Sequence, residues 1–565
     1  MQNFEAPFTV SRGSRQDGLR LNCLLRDRIG RRTAGVCDGI PAAKTEAVIS
    51  TEVELKLAAR PDDVPALKGS LMAKAPTAVS TQERLISTYF DTPDVALKKR
   101  GLTLRVREQG GHFTQTVKAE AIGAEGFRAQ DILSRGEWED AVAENQPEPH
   151  AEQSGPHLPR DVADALAPLF VTDVVRTVVQ LEPVPGTAIE AAIDEGEIRA
   201  ARSDTSEPIS EIELELKSGD AAGLYAIALD LLEVAPIRIE TRSKSERGYR
   251  LVEGGKATRP AVHAQPVALH PEMTVESALQ RIGRSCLAQL LRNEPAVLAA
   301  QPEGVHQMRV AVRRLRSAIS SLRQFLPEEQ HHWLTGELRW LGGTLGKARN
   351  IDVFATELVP AGRAGMPEEP GWDDLAATLD RLRQHAYDEV STAILSQRYP
   401  ATVLRLLQWF EARGWREEPM SDETNPVTLP IGKIAPAALD RRRRKLRQRS
   451  KGFSRLSPPE RHKLRIAAKK LRYTIEVFDS LFDREDSEKF VKILKRLQSD
   501  LGYANDVRVA HEFVVELFTE TDPRSPAAHA WIAALEVHDQ KLAGGERKLR
   551  KHLCRLNGAT PFWRK

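Results

Sequence analysis

The spacing of hydrophobic and polar residues divides the chain into two parts. From about Ser50 to Val252, short runs alternate between apolar and polar residues and are separated by turn residues, which predicts β-strands. The clearest runs are Thr51–Leu57, Thr103–Arg107, Phe113–Lys118, Gly136–Glu139, Ile189–Ile193 and Glu211–Leu216. Beyond residue 270 the apolar residues recur at spacings of three and four to the end of the chain, which predicts helices.

Two stretches have neither period. Residues 1–48 carry scattered Arg without the apolar core of a signal peptide, and we expect a flexible extension. Residues 254–270 are rich in Gly, Pro and Ala, and we expect a linker. The predicted domains are therefore residues 49–253 and 271–558. The length of 565 residues agrees with two domains, because single cores rarely exceed roughly 250–300 residues.

Composition excludes several classes of protein. Hydrophobic residues make up 41% and charged residues 28% of the chain, which is typical of neither a disordered nor a membrane-embedded protein. No apolar run reaches the roughly 18 residues that span a bilayer. The four cysteines, Cys23, Cys37, Cys286 and Cys554, contain no CxxC pair. We therefore expect a reducing, cytoplasmic compartment and no membrane partner.

The net charge of +3 hides an asymmetry between the two parts. Residues 271–565 hold 49 Lys and Arg against 38 Asp and Glu, whereas residues 1–270 hold 33 against 41. A basic half suggests a polyanionic partner, and an acidic half suggests cations or structural carboxylates.

Charged residues in the strand-rich part are segregated by strand. Residues at i, i+2 and i+4 of a strand share one face, so Glu52, Glu54 and Lys56 project together from TEVELKL. EIELELK likewise carries three carboxylates, LTLRVRE carries two arginines, and TQTVK ends in a lysine; these residues are Glu211, Glu213, Glu215, Arg105, Arg107 and Lys118. For any one strand, the simplest interpretation is a charged face in water.

Segregation of the charges favours a ligand instead. Like charges that neighbour each other on one face repel, so each set needs a counter-charge. A closed barrel with its polar faces inward would bring both sets around one ligand and turn the apolar faces outward against helices. Carboxylates suit hard cations such as Mg²⁺ or Mn²⁺, and Arg and Lys suit phosphate. The pattern therefore indicates a metal-bound polyphosphate.

ExExK near the domain start, the paired arginines of LRVRE, the late ExExE strand and SKSERGY (Ser243–Tyr249) occur in an order that resembles the CYTH, or triphosphate tunnel metalloenzyme, family. The resemblance implies an eight-stranded, tunnel-like antiparallel β-barrel with flanking helices, an α+β fold that hydrolyses triphosphates with a divalent metal. It implies that Lys56, Glu52 and Glu54 are catalytic. The implied metal ligands are Glu52, Glu54, Glu211, Glu213, Glu215 and Asp194; the implied triphosphate ligands are Lys56, Arg105, Arg107, Lys118, Arg176 and Lys244.

Some positions stay open at this point. Asp194 in AIDEGEI could equally be a turn residue, and we interpret Arg135, Glu137 and Glu139 as structural ion pairs. The same tunnel family includes adenylate cyclases and thiamine triphosphatases, although no adenine pocket is recognisable. Neither GxxxxGK[ST] nor GxSxG occurs, so a Walker-type site and a hydrolase serine have no support.

The helical part contains an internal repeat at an offset of 156 residues. HQMRVAVRRLRSAISSL (His306–Leu322) matches HKLRIAAKKLRYTIEVF (His462–Phe478), and LGKARNIDV (Leu345–Val353) matches LGYANDVRV (Leu501–Val509). In each copy three basic residues lie within roughly 80° of the histidine on a helix, while a second face is apolar. A lone stripe of this kind is usually solvated, but like charges at i and i+4 are unfavourable, so two copies suggest a shared ligand.

The twin histidine-to-basic spacing resembles the CHAD family, the conserved-histidine α-helical domain, over about Val275–Leu556. The resemblance implies an all-α domain of two pseudo-symmetric helical bundles that binds inorganic polyphosphate. The implied ligands are His306, Arg309, Arg313, Arg316, His462, Lys463, Arg465, Lys469 and Arg472. A metal at the histidines is also conceivable, but their neighbours are cations. The basic run Arg441–Lys451 could extend the patch or indicate affinity for nucleic acid.

Both parts thus point to phosphate chains. We predict a metal-dependent inorganic triphosphatase, with Mg²⁺ or Mn²⁺ as cofactor, whose helical domain binds polyphosphate and associates with polyphosphate granules. The alternatives are a cyclase or thiamine triphosphatase on the same fold, a non-catalytic polyphosphate scaffold, and a nucleic-acid binder, which we consider the weakest.

Overall fold

The computed structural model describes residues 53–75, 80–119, 136–254, 260–416 and 425–564. Thr51, Glu52, Arg135 and residues 1–48 lie outside the described residues, so the expectations about them stay untested. Among the described helices, none combines the length and the apolar character needed to cross a membrane.

The strand-rich part is one antiparallel sheet of nine described strands. The strands are β1 (Val53–Ala59), β2 (Thr81–Asp91), β3 (Leu102–Gln109), β4 (His112–Ala119), β5 (Gly136–Val142), β6 (Ala167–Val184), β7 (Thr187–Ala200), β8 (Ser206–Ser218) and β9 (Ile237–Ile239). Their order in the sheet is β5-β4-β3-β2-β6-β7-β8-β1-β9. The helices of this part are α1 (Val64–Lys74), α2 (Ala96–Lys99), α3 (Ala222–Val234) and α4 (Lys244–Val252). The predicted α+β class is confirmed.

The sheet differs from the expected barrel in strand number and in closure. It has nine strands instead of eight, and among the described residues β5 and β9 have no hydrogen-bonded ladder between them. Strand β9 is only three residues long, because the chain bends at Arg242 and enters α4 at Lys244. A strand this short cannot complete a ring of ladders, so the tunnel-like sheet stays open at this seam.

Alternation of side chains gives the sheet one apolar and one polar face. Leu55, Leu57, Ile193, Ile212 and Leu214 are buried on the apolar face under α1 and α3. The register pairs Lys56 with Glu213, so their side chains project from the opposite, polar face. The period-two pattern therefore places the predicted charged residues of these strands together.

Helix α4 lies on the polar face at one end of the sheet. Its Tyr249 ring packs edge-on against Phe170 of β6 at 5.3 Å between centroids, and its hydroxyl donates to Asp91 at 3.0 Å. Gly248 makes the close approach possible, since a Cβ there would lie 2.1 Å from the Phe170 ring. Ser243 caps the helix in a reciprocal capping box with Glu246, which fixes where the helix starts.

The second part consists of helices, as predicted. They are α5 (Val275–Leu298), α6 (Pro302–Ser321), α7 (Glu328–Val353), α8 (Val359–Gly365), α9 (Trp372–Leu395), α10 (Arg398–Glu411), α11 (Ile431–Arg449), α12 (Pro458–Phe478), α13 (Arg484–Glu520) and α14 (Pro526–Gly558). The starts of α5, α6 and α7 precede those of α11, α12 and α13 by 156 residues each. The sequence repeat is thus a repeat of three consecutive helices.

Two apolar clusters stabilise the helical part. One includes Leu315 and Ile319 of α6, and the other includes Leu464 and Leu471 of α12. These residues belong to the predicted apolar faces. Helices α6 and α12 contact each other, and Ser321 of the first lies 3.1 Å from Thr474 of the second between hydroxyl oxygens.

The two parts of the chain pack directly against each other. Leu404 of α10 is fully buried in the apolar cluster beneath the sheet, and α10 contacts α3. Arg238 of β9 forms a salt bridge with the buried Glu294 of α5. Residues 260–270 contain no helix or strand, but they are anchored, because Asn293 bonds both polar backbone atoms of Val262.

Candidate functional site

Three carboxylates converge on the polar face of the sheet. Asp194 of β7 and Glu211 and Glu213 of β8 each offer an oxygen within 4.8 Å of the others. The register explains the cluster, because Asp194 pairs directly with Glu211, and Glu213 follows two residues later on the same face. Asp194 lies inside β7 with no exposed surface, so the turn interpretation is wrong.

Three cations neutralise this acidic cluster. Lys244, the first residue of α4, places Nζ 2.7 Å from Asp194 Oδ2 and 3.0 Å from Glu213 Oε1, and also contacts Glu211. Arg176 of β6 donates two bonds to Asp194, at 2.7 and 2.6 Å, and one to Glu213 at 2.6 Å. Lys56 of β1 donates to Glu213 at 2.7 Å. Glu213 therefore contacts all three cations.

The pKa shifts follow from these contacts. Burial would raise the pKa of Glu213, but Lys244, Lys56 and Arg176 outweigh it and hold the pKa well below its ordinary value. Burial would likewise lower the pKa of Lys56, but Glu213 and Glu54 reverse the sign and raise it. Glu213 and Lys56 are therefore charged at neutral pH, and each depends on its partners for stabilisation.

The remaining predicted metal ligands lie beside the cluster. Glu54 precedes Lys56 by two residues on β1, and its carboxylate lies 3.5 Å from the Lys56 ammonium. Glu215 pairs with Glu54 across the two strands and forms a salt bridge of 2.7 Å with Lys217. Glu52 lies outside the described residues. The roles assigned to these residues stay predictions.

A second charged group lies on strands β3, β4 and β5. Lys118 pairs with Glu137 at 2.7 Å, and Arg105 lies 3.4 Å from Glu137 and 3.8 Å from Glu139. Glu137 and Glu139 thus form the ion pairs expected of them. The Nε atom of Arg105 is buried and has no hydrogen-bond partner among the described residues, so this guanidinium is incompletely satisfied.

Arg107 connects the two groups electrostatically. Burial, together with the positive charges of Arg105 and Arg176, lowers the pKa of Arg107 to about 10. Its Nε donates only a long bond of 3.3 Å to Ser87. A polyanion placed between Arg107 and Arg176 would relieve this repulsion, because it adds the missing counter-charge.

The donor set fits a hard divalent cation. Asp194, Glu211 and Glu213 supply only oxygens, the ligand type that Mg²⁺ and Mn²⁺ prefer, and the ammonium of Lys244 already lies where a positive charge is stabilised. These three carboxylates would hold the metal, with Glu54 next to them.

Sequence reasoning missed one residue of this site. Arg247 of α4 donates to Glu211 at 3.0 Å and to Glu207 at 2.8 Å. The signal was available, because Arg247 lies three residues after Lys244 in SKSERGY and therefore on the same side of the helix.

In the helical part, the two predicted stripes meet where α6 contacts α12. Burial and the charges of Arg465, Arg313 and Arg309 lower the pKa of Lys469 to about 8, against the opposing charge of Asp506. Burial and the charges of Arg313 and Arg349 lower the pKa of Arg309 to about 10. Among the described residues, no carboxylate forms a salt bridge with any of the four stripe cations. The core of the combined stripe is Arg309, Arg313, Arg465 and Lys469.

The other predicted residues of the stripes lie around this core. Arg472 is engaged by Glu476 at 2.7 Å and by Gln498 at 3.1 Å. Arg316 and Lys463 are exposed at the margins. The histidines differ, since Arg349 and burial lower the pKa of His306, whereas His462 lies 3.1 Å from Asn505 between Nδ1 and Oδ1.

The second repeated motif contributes residues that the stripes alone did not predict. Arg349 and Asn505, which face the two histidines, occupy equivalent positions in LGKARNIDV and LGYANDVRV. Tyr473 supports Arg313, whose guanidinium lies 4.3 Å from the ring centroid. Gly346 leaves room for Arg309, because a Cβ there would lie 2.7 Å from its Nη1.

Comparison with known proteins gives two domain matches. Residues 50–249 match the CYTH domain, and residues 281–515 match the CHAD domain. An inorganic triphosphatase of Haemophilus influenzae is 33% identical over 217 residues, which span 36% of this chain and 56% of that protein. An uncharacterized protein of Mycobacterium tuberculosis is 26% identical over 465 residues, 77% of this chain and 83% of its own length.

Two solved structures are also similar. The CHAD domain from the plant Ricinus communis is 28% identical, and the match covers 54% of this chain and 98% of that one with a TM-score of 0.46. A structure described as a putative adenylate cyclase from Bacillus halodurans is 18% identical, and the match covers 35% of this chain and 96% of that one with a TM-score of 0.25.

Proposed function

We propose that this chain, which contains a CYTH domain followed by a CHAD domain, hydrolyses inorganic triphosphate to diphosphate and phosphate with Mg²⁺ or Mn²⁺. The observation that carries the proposal is that acidic and basic side chains lie together on one face of one sheet. Asp194, Glu211 and Glu213 would hold the cation, and Arg176, which contacts two of these carboxylates, is near enough to Arg107 to help lower its pKa. The relative named as an inorganic triphosphatase matches this part of the chain.

The chemistry follows from charge. Hydrolysis of a phosphoanhydride places negative charge on nonbridging and leaving oxygens, so fixed cations lower the barrier by electrostatic stabilisation. A bound divalent metal would supply Lewis-acid stabilisation of those oxygens and orient the attacking water. Arg105, Arg107, Lys118 and Arg176 would bind the chain of phosphates. Lys56 and Lys244 would leave the carboxylates they now contact, or share them, when metal and substrate bind.

The proposal for the CHAD domain is separate. We propose that the combined stripe around Arg309, Arg313, Arg465 and Lys469 binds inorganic polyphosphate and holds the enzyme at polyphosphate granules. Four clustered cations without salt bridges to described carboxylates support this, because an anionic chain would satisfy them together.

The first experiment is a substrate comparison on the full chain. Tripolyphosphate, ATP and thiamine triphosphate are offered with Mg²⁺ or Mn²⁺, and phosphate, diphosphate and cyclic AMP are measured. We expect tripolyphosphate to be the best substrate and chelation of the metal to abolish turnover. Cyclic AMP as the main product would contradict the proposal, and no turnover of any substrate would favour a binding scaffold.

Substitution of Glu213 then tests the site. Glu213→Gln should lower kcat/KM by about 100-fold or more, since it removes a charge that the metal and three cations use. Glu195→Gln is the matched control, because Glu195 is an exposed residue of β7 adjacent to Asp194 and therefore on the opposite face. Equal loss in both variants would refute the assignment.

A further inference from the structure

The 156-residue repeat relates helices α5–α7, here called the first bundle, to helices α11–α13, the second bundle. Each bundle has an equivalent groove, and the two grooves differ. In the first bundle, the groove beside α5 is covered by the segment that precedes this helix. Arg314 of α6 donates to the backbone oxygen of Gln265 at 2.9 Å and to Gln289 Oε1 at 3.0 Å. Only about 40 Å³ of free volume remains between this segment and α5.

In the second bundle, the described residues leave the equivalent groove open. A cavity of about 320 Å³ lies between α11, α12 and the end of α6. Lys470 of α12 occupies the position equivalent to Arg314, which lies 156 residues earlier in the first bundle. Lys445 of α11 occupies the position equivalent to Gln289. No described segment covers this cavity in the way that residues 262–267 cover the first groove.

The open cavity has a small, neutral floor and a cationic rim. Ala438, Ala467 and Ser321 are buried at its floor, and their short side chains leave the space unfilled. The rim carries Arg441, Arg442, Lys445 and Lys470. In the first bundle the positions equivalent to the three rim residues of α11 are Ser285, Cys286 and Gln289, so these three charges have no counterpart there, where Arg281 and Arg292 line the groove instead.

The rim cations are poorly neutralised. Arg442 donates to Ser320 Oγ at 2.7 Å and Arg441 to the backbone oxygen of Ser321 at 3.4 Å, while no described carboxylate forms a salt bridge with any of the four. Burial and the charges of Arg442, Arg316 and Lys445 lower the pKa of Lys470, and burial and Arg441 lower that of Arg442. A bound anion would remove this repulsion.

We propose that this cavity is a second anion site, distinct from the combined stripe, and that it takes a compact phosphate anion such as diphosphate or the terminal phosphate of a chain. Its volume lies at the lower end of the range for small-ligand pockets, about 300–1,000 Å³, which suits a small ligand. Ser320 Oγ and two guanidinium groups supply directed donors, and the two lysines supply point charges. The site does not depend on the proposed hydrolysis in the sheet domain.

Residue-resolved lysine acylation of the full chain tests the proposal. The protein is treated with an amine-acylating reagent with and without inorganic diphosphate, and modification is read by peptide mass spectrometry. We expect diphosphate to slow the modification of Lys445 and Lys470 several-fold. Lys433, an exposed lysine of the same helix α11 outside the cavity, is the matched control and should be unaffected. This readout is independent of turnover.

Variants separate the cavity from the stripe. Protection by diphosphate should persist in Arg309→Gln/Arg465→Gln and be lost in Arg442→Gln, with circular dichroism showing that each variant is folded. Orthophosphate and long-chain polyphosphate, tested in parallel, show whether free anions or chain ends bind. The proposal is overturned if no phosphate anion protects Lys445 and Lys470 in the unsubstituted chain. It is also overturned if only polyphosphate protects them and the stripe variant abolishes that protection.

Discussion

The charges of single residues in this protein are compensated to different degrees. Glu213 contacts three cations and holds all of them in place on the sheet. Removing one partner from such a cluster is costly, because it leaves a buried charge without compensation. The helical domain differs, because cations there outnumber the carboxylates within reach. This excess of positive charge, spread over a distance that a ligand could span, distinguishes these cations from residues in ordinary salt bridges.

Lys469 makes the charge imbalance measurable as a pH dependence. Its pKa of about 8 means that the ammonium is mostly protonated at pH 7 and mostly neutral at pH 9. A bound polyanion favours the protonated form, so binding at pH 9 takes up a proton and polyphosphate affinity falls as pH rises from 7 to 9. With one linked proton the change is at most about tenfold per pH unit. Isothermal titration in buffers of different ionisation enthalpy measures the uptake.

Lys469→Arg is the control for this prediction. A guanidinium stays charged over the whole range, so the variant should bind polyphosphate with a flatter pH profile and less proton uptake. An unchanged profile in the variant would show that another group titrates.

At the scale of elements, helix α4 is the piece that completes the site. It carries Lys244 and Arg247 to the acidic cluster, and its capping box and its contact with Phe170 fix its position. Asp194 and Glu211 have almost no exposed surface. Without α4, Arg176 would be the cation that contacts Asp194. Positioning of α4 should therefore affect both stability and activity.

Gly248→Ala tests the packing of α4. The added Cβ would meet the Phe170 ring at 2.1 Å, so the helix must shift, and overpacking of this kind costs about 1–3 kcal/mol. We expect a lower melting temperature and a lower kcat on tripolyphosphate, because Lys244 moves with the helix. Differential scanning fluorimetry and the phosphate assay measure the two effects.

Gly69→Ala is the matched control for that substitution. Gly69 lies in the exposed part of α1 with no atom within 4 Å of the added Cβ, so the change should stabilise by about 0.5–1 kcal/mol through helix propensity. If both variants behave alike, the contact with Phe170 does not hold α4 in position.

At the scale of the whole molecule, the two domains share an interface but have different charge designs. The sheet domain combines carboxylates and cations in nearly equal number, whereas the combined stripe of the helical domain holds four cations with the carboxylate of Asp506 near them. Helix α10 and Leu404 join them through an apolar contact, and the Arg238–Glu294 salt bridge adds a polar one. We therefore expect the two activities to be separable by substitution.

Arg309→Glu with Arg465→Glu tests this division of labour. Polyphosphate retention should fall by about 100-fold or more, since each lost charge-assisted contact is worth about 1.5–3 kcal/mol. Tripolyphosphate hydrolysis should change little. Arg484→Glu with Lys489→Glu makes the same charge change at exposed positions of α13 and should leave retention nearly unaltered. Equal loss of retention and hydrolysis would contradict the division.

Much of this organisation could be predicted from local patterns. Period-two alternation located six of the strands, and the 156-residue repeat located the helices that carry the stripes. Strands β2, β6 and β9 were missed. The polar and apolar residues of β2 and β6 do not alternate cleanly in TQERLISTYFD and APLFVTDVVRTVVQLEPV, and β9 has only three residues. Arg247 was missed although its spacing of three from Lys244 was visible, whereas Arg349 and Asn505 were missed because contacts between separate helices leave no local periodicity.

The amino-acid sequence by itself determined which faces are charged, because side-chain direction in strands and helices follows from backbone periodicity alone. It also determined that the helical part is a repeat. Only the tertiary structure decided that the sheet stays open at β9, that Lys244 rather than another cation contacts all three carboxylates, and that the two stripes merge. It alone decided that one groove of the repeat is covered and that the described residues leave its equivalent open. These features depend on strand order and helix packing, which join residues more than 100 positions apart, as in the 157-residue separation of Lys56 and Glu213.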